Sequence, residues 1–516
     1  MLLFLKDHFT PFPNPENDDH AVVGPPSSGL WHHASLVCRH WRRQVLGTPG
    51  LWTTIKICDD LDAMNQWTTA WQSRSGVLPL TVVFTTYLSN DHLNSHIDIL
   101  RSLAENRHIS RLCFYEDVSE RVLKLILTLV AGQLETLFLI AGEGSDDDPS
   151  NLDEPLCELP RLQVLSVVLS PHLQGWPTGE LRHLSLGCGQ GPQEWRDEYL
   201  AGFLATLKAN TRLEELMLRD VSVPITGERW EAGTALPGHH WPIRMPELKR
   251  LFVEESGPAH IAQFWIRVHP MEDVLDQTLS LPPTCTRYYV RVTGLGDIRM
   301  GYGKPFPLER IAVSGGDVVG TDGISACILK NRSQLPLIDY DQVRELWLQV
   351  PYDRSSYNGF HLKNVLITRN KSILDLRNIV KLVIQPQRLI SFWLRELESG
   401  LPALQELHIL MQYHDDRQTI LQFLARRKQN GLQVDTLHFI GDPTSDTSEA
   451  FNSWKENQQE FRRQVNRVVF EEVCIPATDS YFEELVSTRL GIPEACKHPS
   501  PMSELWKPWT EHVSFD

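Results

Sequence analysis

The chain has 516 residues, of which 41% are apolar, 22% charged and 9% aromatic, enough apolar material to order a chain longer than one ordinary core fills. That excludes a largely disordered protein and points to several domains or one elongated array. The 49 Lys and Arg against 65 Asp and Glu leave a formal net charge of −16, an acidic balance that repels phosphate and argues against general nucleic-acid binding.

The apolar start MLLFL is cut at once by Lys6 and Asp7, well short of a signal-peptide core, and no later run approaches a membrane span. Nine cysteines, at 38, 58, 113, 157, 188, 285, 327, 474 and 496, form no CxxC pair, which suits a reducing compartment, cytoplasmic or nuclear. Residues 1–30 are read as a divergent or disordered segment, polar and proline-rich after the first few positions.

The first organised stretch is SLVCRHWRRQVLGTPGLW, residues 35–52. A helix over 35–46 puts Val37, Trp41 and Val45 on one face with Leu36 beside them, and leaves Arg39, Arg42 and Arg43 to solvent. Thr48, Pro49 and Gly50 stop it, and Leu51, Trp52 and Ile55 begin a second apolar segment. The spacing predicts a compact helical hairpin over residues 31–60, too small to hold itself together without something to pack on. His32, His33, Cys38 and His40 offer nitrogen and sulfur ligands, yet no second pair at finger spacing follows, so no metal is assigned. Residues 61–84 read as a connecting segment.

From residue 85 to 480 the chain repeats itself on the form apolar-x-x-apolar-x-apolar. The copies are ISRLCF from Ile109, LETLFL from Leu134, LQVLSV from Leu162, LRHLSL from Leu181, LEELML from Leu213 and LKRLFV from Leu248. They continue with LERIAV from Leu308, VRELWL from Val343, IVKLVI from Ile379, LQELHI from Leu404, VDTLHF from Val434 and VNRVVF from Val465. RYYVRV, ending at Val292, is read as a worn copy. Each hexamer is expected to be a short strand whose fourth and sixth side chains point to a core. Helical stretches separate them: DEYLAGFLATLKANT, with Leu200, Phe203, Leu204 and Leu207 on one face, and TILQFLARRKQNG, ending in basic residues and Gly431. One strand and one helix cannot bury an apolar face alone, so units stack into a curved array. The expected fold is α/β: a short helical module followed by an irregular leucine-rich-repeat solenoid, with residues 481–516 as a tail. The same hexamer also occurs in amphipathic helices, where its apolar positions partly share a face. Against that stand the Val, Ile and Phe residues at core positions and the Gly, Pro and Asp loops between copies.

The fifth position of each strand lines the inner surface of such an array. It holds Cys113, Phe138, Ser166, Ser185, Met217, Phe252, Ala312, Trp347, Val383, His408, His438 and Val469. Phe138, Met217, Phe252, Trp347, His408 and His438 form a candidate substrate face if that row is open. If the array curves tightly or is covered, the same side chains simply pack.

No G-x-S-x-G elbow, H-E-x-x-H pair or phosphate loop occurs; the glycines of GLGDIRMGYGK, residues 294–304, miss both phosphate-loop spacings. No catalytic residue and no cofactor is assigned, and the chain is not expected to be an enzyme.

LVCRHWRRQVLGTPGLWTTIKI resembles the second half of an F-box, in the version common in mushroom-forming fungi, where V-C-x-x-W-R precedes a T-P-x-L-W turn. WQSRSGVLPLTVVF, residues 71–84, resembles the W-x-x-R-S-G-x-x-P-L segment that leads into the leucine-rich repeats of the same proteins. The family's opening L-P-x-E-I-L segment has no counterpart here. The resemblance implies an F-box docking on a Skp-type adaptor, joining a cullin-RING ubiquitin ligase whose protein substrate the repeats select. It also implies that Leu36, Val37, Cys38, Trp41, Val45, Leu46, Leu51 and Trp52 build the docking module, part as its core and part as adaptor contact.

Overall fold

The computed structural model describes residues 38–57, 73–84, 90–114, 118, 120–140, 158–168, 180–187, 193–194, 197–219, 221–224, 242–256, 268–269, 271–292, 307–314, 317–330, 338–349, 376–385, 394–395, 397–398, 400–411, 417–441, 448–473 and 481–497. The chain is mixed α/β with mostly parallel sheet, and it divides into two compact units. The first comprises Met1–Val221, Ala235–Leu248 and Leu279–Leu281; the second comprises Ser222–Thr234, Lys249–Thr278 and Pro282–Asp516.

Every one of the twelve hexamers is a strand, and so is the worn copy. In the first unit β1 (Thr54–Ile57), β2 (Leu80–Phe84), β3 (Ile109–Phe114), β4 (Thr136–Ile140), β5 (Val164–Val168), β6 (His183–Gly187) and β7 (Glu215–Arg219) pair in succession, all parallel. Registration follows the repeat: Leu112, Leu137, Leu165, Leu184 and Leu216, all fourth-position residues, are successive Cα partners. Parallel strands need crossovers, and helices supply some of them. α1 (Arg39–Leu46) precedes the sheet; α2 (Asn90–Asn106) runs between β2 and β3, α3 (Glu120–Val130) between β3 and β4, and α4 (Asp197–Ala209) between β6 and β7. Leu200, Phe203, Leu204 and Leu207 of α4 are all buried, as their spacing requires.

In the second unit the strands are β8 (Arg250–Ser256), β9 (Thr286–Val292), β10 (Arg310–Ser314), β11 (Asp317–Thr321), β12 (Ala326–Lys330), β13 (Glu345–Gln349), β14 (Lys381–Gln385), β15 (Glu406–Met411), β16 (Thr436–Gly441) and β17 (Arg467–Glu472). Their order departs from simple succession at one place. β9 pairs in parallel with β12, β12 runs antiparallel to β11, and β11 antiparallel to β10, after which β10 resumes parallel pairing with β13. The second turn of this meander is built by Asp322, whose Oδ1 accepts from the backbone N–H of Ile324 at 2.8 Å and of Ser325 at 2.6 Å. An aspartate that caps its own turn lets the chain reverse without a helix. β13 to β17 then pair in parallel, with Leu346, Leu382, Leu407, Leu437 and Val468 in register.

α5 (Met271–Thr278) is followed, later in this unit, by α6 (Arg417–Gln429), α7 (Ser448–Glu456), α8 (Gln458–Arg462), α9 (Tyr481–Arg489) and α10 (Glu494–Lys497). α6 ends as its sequence predicts. Gly431 takes φ 74°, its N–H donates to Lys428 O at 3.1 Å, and that of Leu432 donates to Arg427 O at 2.9 Å, a glycine-based C-terminal cap. The basic residues there are not all solvated: Arg427 is fully buried.

Candidate functional site

The F-box-like stretch folds differently from the expected helical hairpin. α1 ends at Leu46, Gly47 N–H donates to Arg43 O at 2.9 Å, and Pro49–Trp52 form one 3-10 turn. The second apolar segment is then a strand, β1, because Ile55 and Ile57 alternate with Thr54 and Lys56 to give one buried face, and its edge pairs in parallel with β2. The module is therefore continuous with the sheet of the first unit.

The eight docking-module residues separate by burial. Val45, Leu51 and Trp52 are core, and the Trp52 indole N–H donates to Val45 O at 3.0 Å, tying the turn to the end of α1. The Arg74 guanidinium lies 4.4 Å from the Trp52 ring centre. Trp41 is half-buried, Cys38 is exposed, and Leu46 is 37% exposed. Leu36 and Val37 lie outside the described residues, as do His32 and His33. Sequence reasoning passed over Val77 and Leu78, which are 94% and 39% exposed in the loop whose Gly76 approaches Pro49 of the turn. The large apolar side chains exposed among the described residues are Leu46, Val77, Leu78, Leu125 and Ile324, and the first three flank this one turn region.

The fifth-position row behaves as packing. Phe138, Met217, Phe252 and Trp347 are buried, together with Cys113, Ser166, Ser185, Ala312 and Val383; His408 and His438 are half-buried. Strands of a parallel sheet are commonly buried on both faces, so a large apolar fifth residue does not imply an open surface. In the second unit part of what lies against the row is visible. Phe482 of α9 meets Trp347 edge-on with ring centres 6.2 Å apart, and Arg310 donates from Nη1 to Leu490 O at 3.2 Å. Arg489 forks onto Glu471, Nη2 to Oε1 at 2.6 Å and Nη1 to Oε2 at 3.1 Å. Segment 481–497 thus packs on the row instead of trailing from it.

Around this contact sits a cluster of charge. The Trp347 indole N–H donates to Glu345 Oε1 at 2.8 Å, and Lys381 Nζ stands 2.6 Å from the same oxygen. The His408 and His438 rings lie 4.6 Å apart, with His408 Nε2 at 3.2 Å from Glu406 Oε2 and His438 Nε2 at 3.0 Å from Glu471 Oε2. Burial pushes His408 down to about 3, helped by the adjacent His438 and Lys381 and opposed by Glu345 and Glu471. Burial also lowers His438, with Glu471 opposing, while the hydrogen bond from Arg489 holds Glu471 below the usual carboxylate range. Burial and the neighbouring cations thus favour neutral imidazoles at both positions, His408 beside Glu406 of its own strand and His438 beside Glu471 of the next. Among the described residues, no group of three or more His, Cys, Asp or Glu is placed to hold a metal ion. Nor is any described helix long and apolar enough to cross a membrane.

No protein-family model matches the chain, and no curated protein matches it.

Proposed function

We propose that this protein is the substrate-recognition subunit of a cullin-RING ubiquitin ligase. In this reading α1 and its 3-10 turn dock a Skp-type adaptor, and the strand-and-helix array, a leucine-rich-repeat-like solenoid, holds a protein substrate. The observation that carries the reading is the V-C-x-x-W-R and T-P-x-L-W stretch: Val45, Leu51 and Trp52 form its core, Leu46 is exposed at the end of α1, and Val77 and Leu78 are exposed in the loop whose Gly76 nears Pro49. Large apolar side chains left exposed are a signature of protein contact. Because Phe138, Met217, Phe252 and Trp347 are buried, substrate selection is assigned to the array and not to those side chains.

A second reading is favoured by β1, which makes the docking stretch continuous with the sheet instead of a separate helical module: a repeat scaffold that binds a protein partner without any ligase. The two separate in a direct binding measurement between the purified chain and a purified Skp-type adaptor. A complex with wild type, lost on Leu46→Asp with an unchanged melting temperature, supports the ligase reading; absence of a wild-type complex overturns it.

A further inference from the structure

α1 breaks several local rules of helix design at its N-terminal end, although Arg43 in its last turn suits the helix dipole. Its N-cap residue, Cys38, makes no capping hydrogen bond, and its first turn carries no acid. Arg39 opens the helix, where the backbone dipole disfavours positive charge. Arg42 and Arg43 follow at i+3 and i+4 from Arg39, the spacings at which like charges repel on a helix surface. All three are exposed, and none has a carboxylate partner among the described residues. Residues 38–57 contain no Asp or Glu, in a chain whose net charge is −16. Nothing in the fold requires this cost, since the face of α1 that packs is the opposite one, with Val45 and the half-buried Trp41. Rules broken locally without an internal compensation mark residues kept for an external one.

Exposed Leu46 continues the same face at i+7 from Arg39. The surface is therefore a row of three guanidiniums ending in an apolar contact. A nucleic-acid backbone would use the charges but has no use for Leu46, and a net charge of −16 over the whole chain opposes a long polyanion more than a short acidic helix. An acidic protein helix offers both elements: carboxylates for the bidentate fork of arginine and an apolar residue for Leu46.

We propose that Arg39, Arg42, Arg43 and Leu46 form a docking stripe for an acidic amphipathic helix of a partner protein. The proposal rests on the docking reading of α1 but fixes the partner's chemistry, and a synthetic probe tests it separately. The probe is a helical peptide with glutamates on one face and leucines beside them; its controls are the Gln-for-Glu counterpart and a single-stranded oligonucleotide. The full-length chain is expected to bind the Glu peptide, more weakly as salt rises from about 0.05 to 0.5 M. Three exposed ion pairs contribute modestly, so Arg39→Glu/Arg42→Glu/Arg43→Glu should weaken binding by roughly 10-fold or more, while the triple Lys variant keeps most of it. The melting temperature should not fall, because the three side chains are exposed and Glu at position 39 suits the start of the helix better than Arg.

Equal binding of the Glu and Gln peptides, tighter binding of the oligonucleotide, or no binding of either peptide overturns the stripe. The Skp-type adaptor is measured in parallel on the same variants. Adaptor binding that ignores charge reversal also overturns the stripe while leaving the ligase reading standing. Glu-peptide binding with no adaptor complex does the reverse.

Discussion

Replacing Arg427 by Met should open the second unit around the C-terminus of α6. The fully buried guanidinium donates from Nη1 to Leu397 O at 2.7 Å and Gly400 O at 2.6 Å, from Nη2 to Leu401 O at 3.0 Å, and from Nε to Leu432 O at 3.1 Å. Leu401 sits at φ 51°, a left-handed conformation that costs a non-glycine residue energy and persists because its surroundings enforce it. Methionine fills most of the volume but leaves these carbonyls without their charged donor. Each buried acceptor left unpaired costs about 1–3 kcal/mol, and some are rescued by water, so the net loss should be about 3–5 kcal/mol. Arg427→Lys keeps the charge but not the fork, and should lose roughly half as much. Hydrogen exchange of the full chain, read over residues 397–411 and 417–432, measures the opening directly. Opening that rises by about 100-fold or more in Arg427→Met agrees with the low end of that range. A change under about 5-fold refutes the assignment of Arg427 as the staple of this segment.

Two further outcomes follow from the same unit. His408 titrates near 3 when folded and near 6.5 when unfolded, so below about pH 6.5 the unfolded state takes up the proton first and stability falls as pH drops toward 3. Wild type should lose about 2 kcal/mol between pH 7 and 5 from this group, and thermal unfolding of His408→Asn should show a shallower pH dependence; an identical slope refutes it. At Gly441 an added Cβ would lie 2.6 Å from Phe451 Cδ2, so Gly441→Ala should cost about 1–3 kcal/mol in thermal unfolding, and Phe451→Leu in the same chain should recover part of it. An unchanged melting temperature for Gly441→Ala refutes the close packing.

The strand positions were legible because each hexamer carries its own signal. Leu, Ile or Val at the fourth position and an apolar sixth recur with β-branched residues between Gly, Pro and Asp loops, and aligning the copies also aligned the register, as the ladder Leu346, Leu382, Leu407, Leu437 shows. The meander of β10 to β12 was not legible. Within VVGTDGISACILK only ISACIL fits the hexamer, with Cys327 where Leu usually stands, and the rule that a strand is followed by a crossover fails where Asp322 turns the chain on itself. β1 was missed for a related reason. TTIKI is short, and only its ladder with β2, Ile55 beside Val82 and Ile57 beside Phe84, marks it as a strand. The burial of Arg427 was hidden as well, since basic residues at a helix C-terminus are favourable without being buried and nothing local announces the carbonyls of Leu397, Gly400 and Leu401.

The two candidate surfaces rest on different physics. Along the strands, residue size alone suggested an open row, but Phe138, Phe252 and Trp347 are large because a parallel sheet fills both its faces, and the small Ser166, Ser185 and Ala312 interleaved with them answer to the same packing. Apolar bulk is thus ambiguous: it marks an interface or a core, and only the element packed against it, as α9 is against Trp347, decides which. Charge is less ambiguous, because burying an unpaired arginine costs more than any packing returns. Arg39, Arg42 and Arg43 had to be at the surface wherever the helix lay, and with no acid within residues 38–57 they lacked a local partner as well. Three guanidiniums on one helix face with no carboxylate partner among the described residues, in an acidic chain, are therefore a stronger pointer to a partner than four large apolar side chains in a row of strands.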